Sequence, residues 1–280
     1  MVSTSGAIKD MFLGEVRKID ELFRFIKIDG ELAEIDATEL KHKELNDLMR
    51  ECIFKGAEKF VLKNVYGHRY IGTRLNISNP KRVQIDIYGT AGNDLGAFLN
   101  GHKIVVHGNA QDGVGNTMDD GEIIIEGRAG DVVAMSMRGG KIFIRDNVGY
   151  RTAIHMKEFE NKVPVLVVGG TAQDFFGEYM AGGRVILLGL NLKENEAHKA
   201  HYIGTGMHGG IIYIRGKVED YQLGREVGVL EPEKEDWKLI EENVRRFSDC
   251  FGFNSDDILS DKFIKLIPVS RRPYGKIYAY

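Results

Sequence analysis

Four groups of residues have types and spacings that could carry chemistry. Gly204-Thr205-Gly206-Met207-His208-Gly209 spells G-x-G-x-x-G, which cradles a dinucleotide pyrophosphate when it follows a strand and opens a helix. Here it runs into IIYIRG, a strand by its β-branched content, so the motif is expected to be a repeat corner. Asp112, Asp131 and Asp174 recur at one repeat position, with Asn93 ahead of them. Carboxylates on a repeated β face can cleave polysaccharide or bind calcium, and beside corner glycines they also satisfy turn amides; the turn role is expected. Glu196, His198, His201 and His208 form a third group. The His198–His201 spacing suits a metal only on a helix and fixes no further ligand, so a solvated loop is expected. The cysteines, Cys52 and Cys250, are too few for an iron–sulfur cluster. Cys52 shares an apolar helical side with Leu45, Leu48 and Met49, the setting of a buried, inert thiol. No serine–histidine–acid arrangement is supported by the spacing. The expectation is no catalytic residue, no cofactor and no metal.

The elements that would position these residues repeat. Leu99, Met118, Met137, Met156, Met180 and Met207 form one column, stepping by 19 residues as far as Met156 and then by 24 and 27. Met fills irregular core space, so this column is read as core. Two further apolar columns are Ile85, Ile104, Ile123, Ile142, Leu166, Val185, Ile212 and Ile87, Val106, Ile125, Ile144, Val168, Leu187, Ile214. Glycines keep phase with them: Gly89, Gly108, Gly127, Gly170, Gly189 and Gly216 in one column, with Asp146 substituting; Gly96, Gly115, Gly177 and Gly204 in another, with Ala134 and Ala153 between. Each unit is a short strand, a corner, a second short strand and another corner. Alternation within a strand turns one face inward. A lone unit cannot bury that face, whereas stacked units can. A unit this short leaves no room for a crossover helix. The expected fold class is an all-β core, a right-handed single-stranded parallel β-helix with small α/β flanking segments. Its expected divisions are 1–82 as an N-terminal α/β cap, 83–216 as the glycine-repeat β-helix of about seven coils, and 217–280 as a C-terminal helical cap and tail.

The flanks read as covers for the strand edges that a stack exposes. Residues 38–55 are predicted to be a helix, with Thr38 as cap and Gly56 as stop. FVLKNV and HRYIGTRL are predicted strands. Pro232 is predicted to open a second helix with the stripe Trp237, Ile240, Val244, Phe247 and Phe251, ended by Gly252. The 280 residues carry 34 glycines against 5 prolines and a net charge of −3. That balance recommends neither nucleic acid nor a membrane surface. No apolar run has the length of a membrane span, and the first residues lack a signal-peptide core, so a cytoplasmic location is expected.

YGTAGNDLGAFLNG, GNAQDGVGNTMDDGEIIIEG, GRAGDVVAMSMRGGKIF, GTAQDFFGEYMAGGRVILLG and GTGMHGGIIYIRG resemble the glycine-repeat (GXGXG) domain that closes the glutamate synthase large chain. The resemblance covers roughly residues 64–216. NVYGHRYIGTRL and PVSRRPYGKIYAY further resemble the free-standing archaeal-type subunit. The resemblance implies a right-handed β-helix, a non-catalytic part in glutamine-dependent glutamate formation, and partnership with amidotransferase and FMN-binding synthase chains. Arg69, Arg74, Arg271, Arg272 and Tyr274 are the candidate contacts, since Arg and Tyr are over-represented in interface hot spots. The family's amidotransferase nucleophile is an N-terminal cysteine, whereas this chain begins Met1-Val2; the chain alone is not expected to make glutamate. Two alternatives are a component like the C subunit of formylmethanofuran dehydrogenase, which has a related glycine repeat, and a carbohydrate-active β-helix enzyme using the Asp column.

Overall fold

The structure is a computed structural model that describes residues 17–73, 75 and 82–269. The chain enters through a helical turn, α1 (Ile19–Leu22), and an antiparallel pair, β1 (Ile26–Asp29) and β2 (Leu32–Asp36). Helix α2 (His42–Phe54) follows, then β3 (Lys59–His68), which lies parallel to β2. From here each new strand is added parallel to the last: β4 (Gln84–Ala91), β5 (Lys103–His107), β6 (Glu122–Ile125), β7 (Lys141–Ile144), β8 (Val165–Val168), β9 (Ala181–Leu187) and β10 (Gly209–Arg215). The chain closes with β11 (Val227–Leu230), α3 (Lys234–Phe251), α4 (Ser255–Leu259) and β12 (Phe263–Pro268). Strand β12 runs antiparallel to β10, and β11 antiparallel to β12. Among the described residues all twelve strands form one sheet, parallel from β2 to β10.

The register is the one the apolar columns demand. Ile85 pairs with Ile104, Ile104 with Ile123, Ile123 with Ile142, Ile142 with Leu166, Leu166 with Val185 and Val185 with Ile212. The column from Ile87 to Ile214 pairs alongside it, and every member of both is fully buried. The methionine column is buried as well, from Leu99 to Met207. The intermediate residues Val105, Ile124, Phe143, Val167, Ile186 and Tyr213 face the other way and are covered by Ile240, Val244 and Phe247 of α3. A parallel sheet is thus buried on both faces. At the opposite end, Leu45, Leu48, Met49 and Cys52 of α2 close the inner core beside β2 and β3.

The segments between strands also stack. Residues at alternate positions are left-handed: Gly113, Gly115 and Thr117 at φ 74°, 66° and 53°, then Val132, Ala134 and Ser136 at 51°, 57° and 53° in the next unit. The central amides donate backward through the stack, Gly115 to Leu95 at 2.8 Å, Ala134 to Val114 at 2.8 Å and Ala153 to Val133 at 2.7 Å. Turn backbone is therefore paired between units much as strand backbone is.

Three expectations at the flanks are corrected. Helix α2 begins at His42, because the Thr38 hydroxyl donates to Asp36 at 2.6 Å and Glu44 reaches back to the Lys41 amide at 2.9 Å. Among its described residues HRYIGTRL forms no separate strand: His68 ends β3, and residues 70–73 are bend and turn, with Tyr70 at φ 62° and Gly72 at φ 87°. Helix α3 begins at Lys234, after Pro232, since Asp236 accepts the Glu233 amide at 2.7 Å and so caps the helix there. Gly252 ends it at φ 74°, a conformation that glycine adopts without strain.

Candidate functional site

The residues singled out for chemistry are mostly occupied with backbone. In the Asp column each side chain accepts an amide from the next unit. Asp112 Oδ1 accepts from Asp131 at 2.9 Å, Asp131 Oδ1 from Tyr150 at 2.8 Å, and Asp174 Oδ1 from His201 at 2.8 Å. A second such column, Asn109 and Asn147, accepts from Arg128 at 3.0 Å and Thr171 at 2.7 Å. Sequence reading missed it, although the two asparagines stand two repeat lengths apart. The G-x-G-x-x-G segment turns into β10, with Gly204 N–H donating to Phe176 at 2.7 Å; no helix follows. The histidine group is dispersed. His198 is buried, its Nε2 bonded to the Arg215 carbonyl at 2.9 Å, and burial lowers its pKa despite that bond. His201 lies 3.3 Å from Asp174, and Glu196 accepts the Lys193 amide at 3.0 Å. Among the described residues no group of three or more His, Cys, Asp or Glu side chains is placed to hold a metal. Cys52 is fully buried, and desolvation pushes its thiol up to about 11.

One concavity stands out on the surface, a groove of about 680 Å³ beside the N-terminal ends of β3 to β7. Five basic side chains (Lys59, Arg82, Lys103, Lys141 and Lys162) and three acidic ones line it. Glu122, one of the acids, is held by Arg246 through two bonds of 2.9 and 2.7 Å and lies 3.8 Å from Lys103. His102 lies in the wall, 3% exposed. Its Nδ1 accepts the Val83 amide at 3.1 Å, which puts the ring proton on Nε2. That Nε2 is buried without a partner, and burial lowers the ring's pKa.

Of the candidate contact residues, Arg69 is exposed at the turn after β3. Its backbone is anchored by His42 Nδ1, which accepts its amide at 3.3 Å, and by Asn46, which donates to its carbonyl at 3.0 Å. Arg74, Arg271, Arg272 and Tyr274 lie outside the described residues. The turn edge of the later units carries aromatic pairs, His155 on Tyr179 at 5.5 Å and Phe175 on Tyr202 at 4.9 Å. Tyr179 and Tyr202 are exposed by 39% and 55% although both are left-handed, at φ 52° and 59°.

Parallel units in register, with left-handed corners that most units build on glycine, define a glycine-repeat protein. The chain belongs to the GXGXG motif family, which matches residues 59–269 and is associated with glutamate synthase. It is 47% identical over 251 residues to the "Uncharacterized protein MJ1350" of Methanocaldococcus jannaschii, a match covering 87% of this chain and 95% of that relative. Among the described residues, no helix is long and apolar enough to cross a membrane.

Proposed function

We propose that the chain is a non-catalytic scaffold subunit of a glutamate synthase, supporting glutamine-dependent glutamate formation by separate amidotransferase and FMN-binding synthase chains. The carrying observation is the family match, which spans the stack and its C-terminal cover. In this reading the stack is a right-handed parallel β-helix, 83–216 its body, and 1–82 and 217–280 its caps. The regular columns, Gly89 to Gly216, Gly96 to Gly204 and Met118 to Met207, serve shape alone. The engagement of the Asp column by backbone amides supports a structural role over polysaccharide cleavage. The subunit binds no flavin or iron itself and works in the cytoplasm. Exposed tyrosines on the turn edge, Tyr179 stacked on His155 and Tyr202 on Phe175, support a binding surface.

The test mixes the purified chain with the two partner chains at micromolar concentration and follows assembly by size-exclusion chromatography. A ternary complex is expected. Arg69→Glu is expected to leave stability within about 0.5 kcal/mol of wild type, as for an ordinary surface change, yet to weaken assembly; Arg272→Glu, in the tail, is expected to do the same. Failure of the wild-type chain to bind either partner would remove the glutamate synthase role and leave the family and the fold.

A further inference from the structure

We infer that the groove beside β3 to β7 is a binding site for carboxylates. Its floor is set by the residue immediately before each strand. For β4 to β8 these residues are Val83, His102, Gly121, Gly140 and Pro164, and Gly183, inside β9, continues their register. Apart from Pro164, which has no N–H, their amides take no part in the ladder bonds and need acceptors from elsewhere. Gly183 shows what suits the position. Its N–H donates to Glu158 Oε1 at 3.1 Å, and the same carboxylate oxygen accepts from Arg184 Nη1 at 2.7 Å. One backbone amide and the basic side chain after it thus hold a carboxylate that the chain itself supplies.

The same pairing of amide and following base recurs at His102–Lys103 and Gly140–Lys141, both in the groove wall. Among the described residues, the amides of His102, Gly121 and Gly140 donate to no acceptor. The buried His102 Nε2 adds a further unpartnered donor. Lys141 leans on Glu242 at 2.8 Å in an exposed pair, which contributes little and can open. Glu122 follows Gly121 in the series, but Arg246 and Lys103 already neutralise it. Charge-assisted bonds to backbone amides are among the stronger ones available to an acid. Successive units lie ~4.8 Å apart, so two carboxylates of one short molecule, or of neighbouring acidic side chains on a partner, can engage two units together.

The full-length chain labelled with ¹⁵N-glycine tests this by titration at constant ionic strength, first with succinate and separately with an oligoglutamate peptide. The Gly121 and Gly140 amide resonances are expected to move saturably, with glycines on the far side of the stack unmoved. Saturation at lower concentration by succinate assigns the site to a free acid; saturation at lower concentration by the peptide assigns it to an acidic protein segment. Lys103→Gln with Lys141→Gln is expected to weaken binding about tenfold or more, the scale of one charge-assisted bond. If that variant does not fold, the wild-type titration still decides. Stationary Gly121 and Gly140 signals under both ligands overturn the inference, as does an equal response to inorganic phosphate, which would mean attraction for any anion.

Discussion

At position 115 the chain takes φ 66°, and a Cβ added there would stand 2.3 Å from Ile142 Cδ1. The same conflict arises at Gly96 with Ile123 and at Gly177 with Ile212, at 2.5 Å each. In this column the residue that meets the corner belongs to the apolar ladder two units further on. Where alanine replaces glycine, at Ala134 and Ala153, the ladder residues at that distance are Leu166 and Val185 instead of isoleucine. Corner and ladder therefore share one volume. Gly115→Ala is expected to cost about 2 kcal/mol from overpacking and left-handed strain. Adding Ile142→Val, which removes Cδ1, should recover part of that loss; a urea-melt double-mutant cycle measures the coupling. Strict additivity would show that the two side chains do not compete. Cys52 belongs to the same scale. With a thiol pushed up to about 11 and no exposed surface, it is expected to resist maleimide at neutral pH until the chain is unfolded in guanidinium, as followed by mass spectrometry.

Helix α3 is fastened to the sheet by a buried polar cluster. Asp236 accepts from Tyr213 Oη at 2.7 Å and from Lys265 Nζ at 2.7 Å, besides capping its own helix. Burial alone would raise this carboxyl; the bonds from Lys265, Tyr213 and the Glu233 amide outweigh it and hold the pKa below its ordinary 3.8. Glu44 at the start of α2 is similar. Its burial is outweighed by bonds from Arg17 and from the amides of Lys41 and Arg17, bringing it to about 2. Both folded values are depressed, so the stabilisation is complete above the unfolded carboxylate range and is lost as pH falls through the folded values. Acid titration of unfolding free energy is expected to show a decline from about pH 5 downward, with a shallower slope in Glu44→Gln. Asp236→Asn is expected to destabilise by about 3 kcal/mol, because it strands the Lys265 ammonium, and to loosen α3 first. The strands were legible because their columns repeat, every 19 residues outside two insertions, and the α3 stripe because its spacing is helical. The start of α2 was not, since nothing in the local pattern says that Thr38 bonds Asp36. The groove was illegible for a deeper reason: its donors are main-chain amides, which any residue but proline supplies, and its model carboxylate, Glu158, lies in an insertion outside the repeat.

Because each unit touches chiefly its neighbours, stability should be graded along the stack. Hydrogen exchange followed by mass spectrometry is expected to show the slowest amides in β5 to β8, fully flanked and covered by α3, and faster exchange toward β1 and β11 at the two sheet edges. Uniform protection from end to end would mean that the whole sheet opens only as a single body. The constant register has one more consequence, for length. Removing residues 104–122 would join Lys103 to Ile123 and carry every ladder across the splice, with isoleucine again following isoleucine and a methionine lost from a column that has others. The two capped ends would then approach by one strand spacing, ~4.8 Å, with little else disturbed. The chain is in this sense a ruler, marked in nineteens except for divisions of 24 and 27 residues at two insertions, whose span can be lengthened or shortened only by whole divisions, so that whatever is fastened at its ends is held at one of a discrete set of separations.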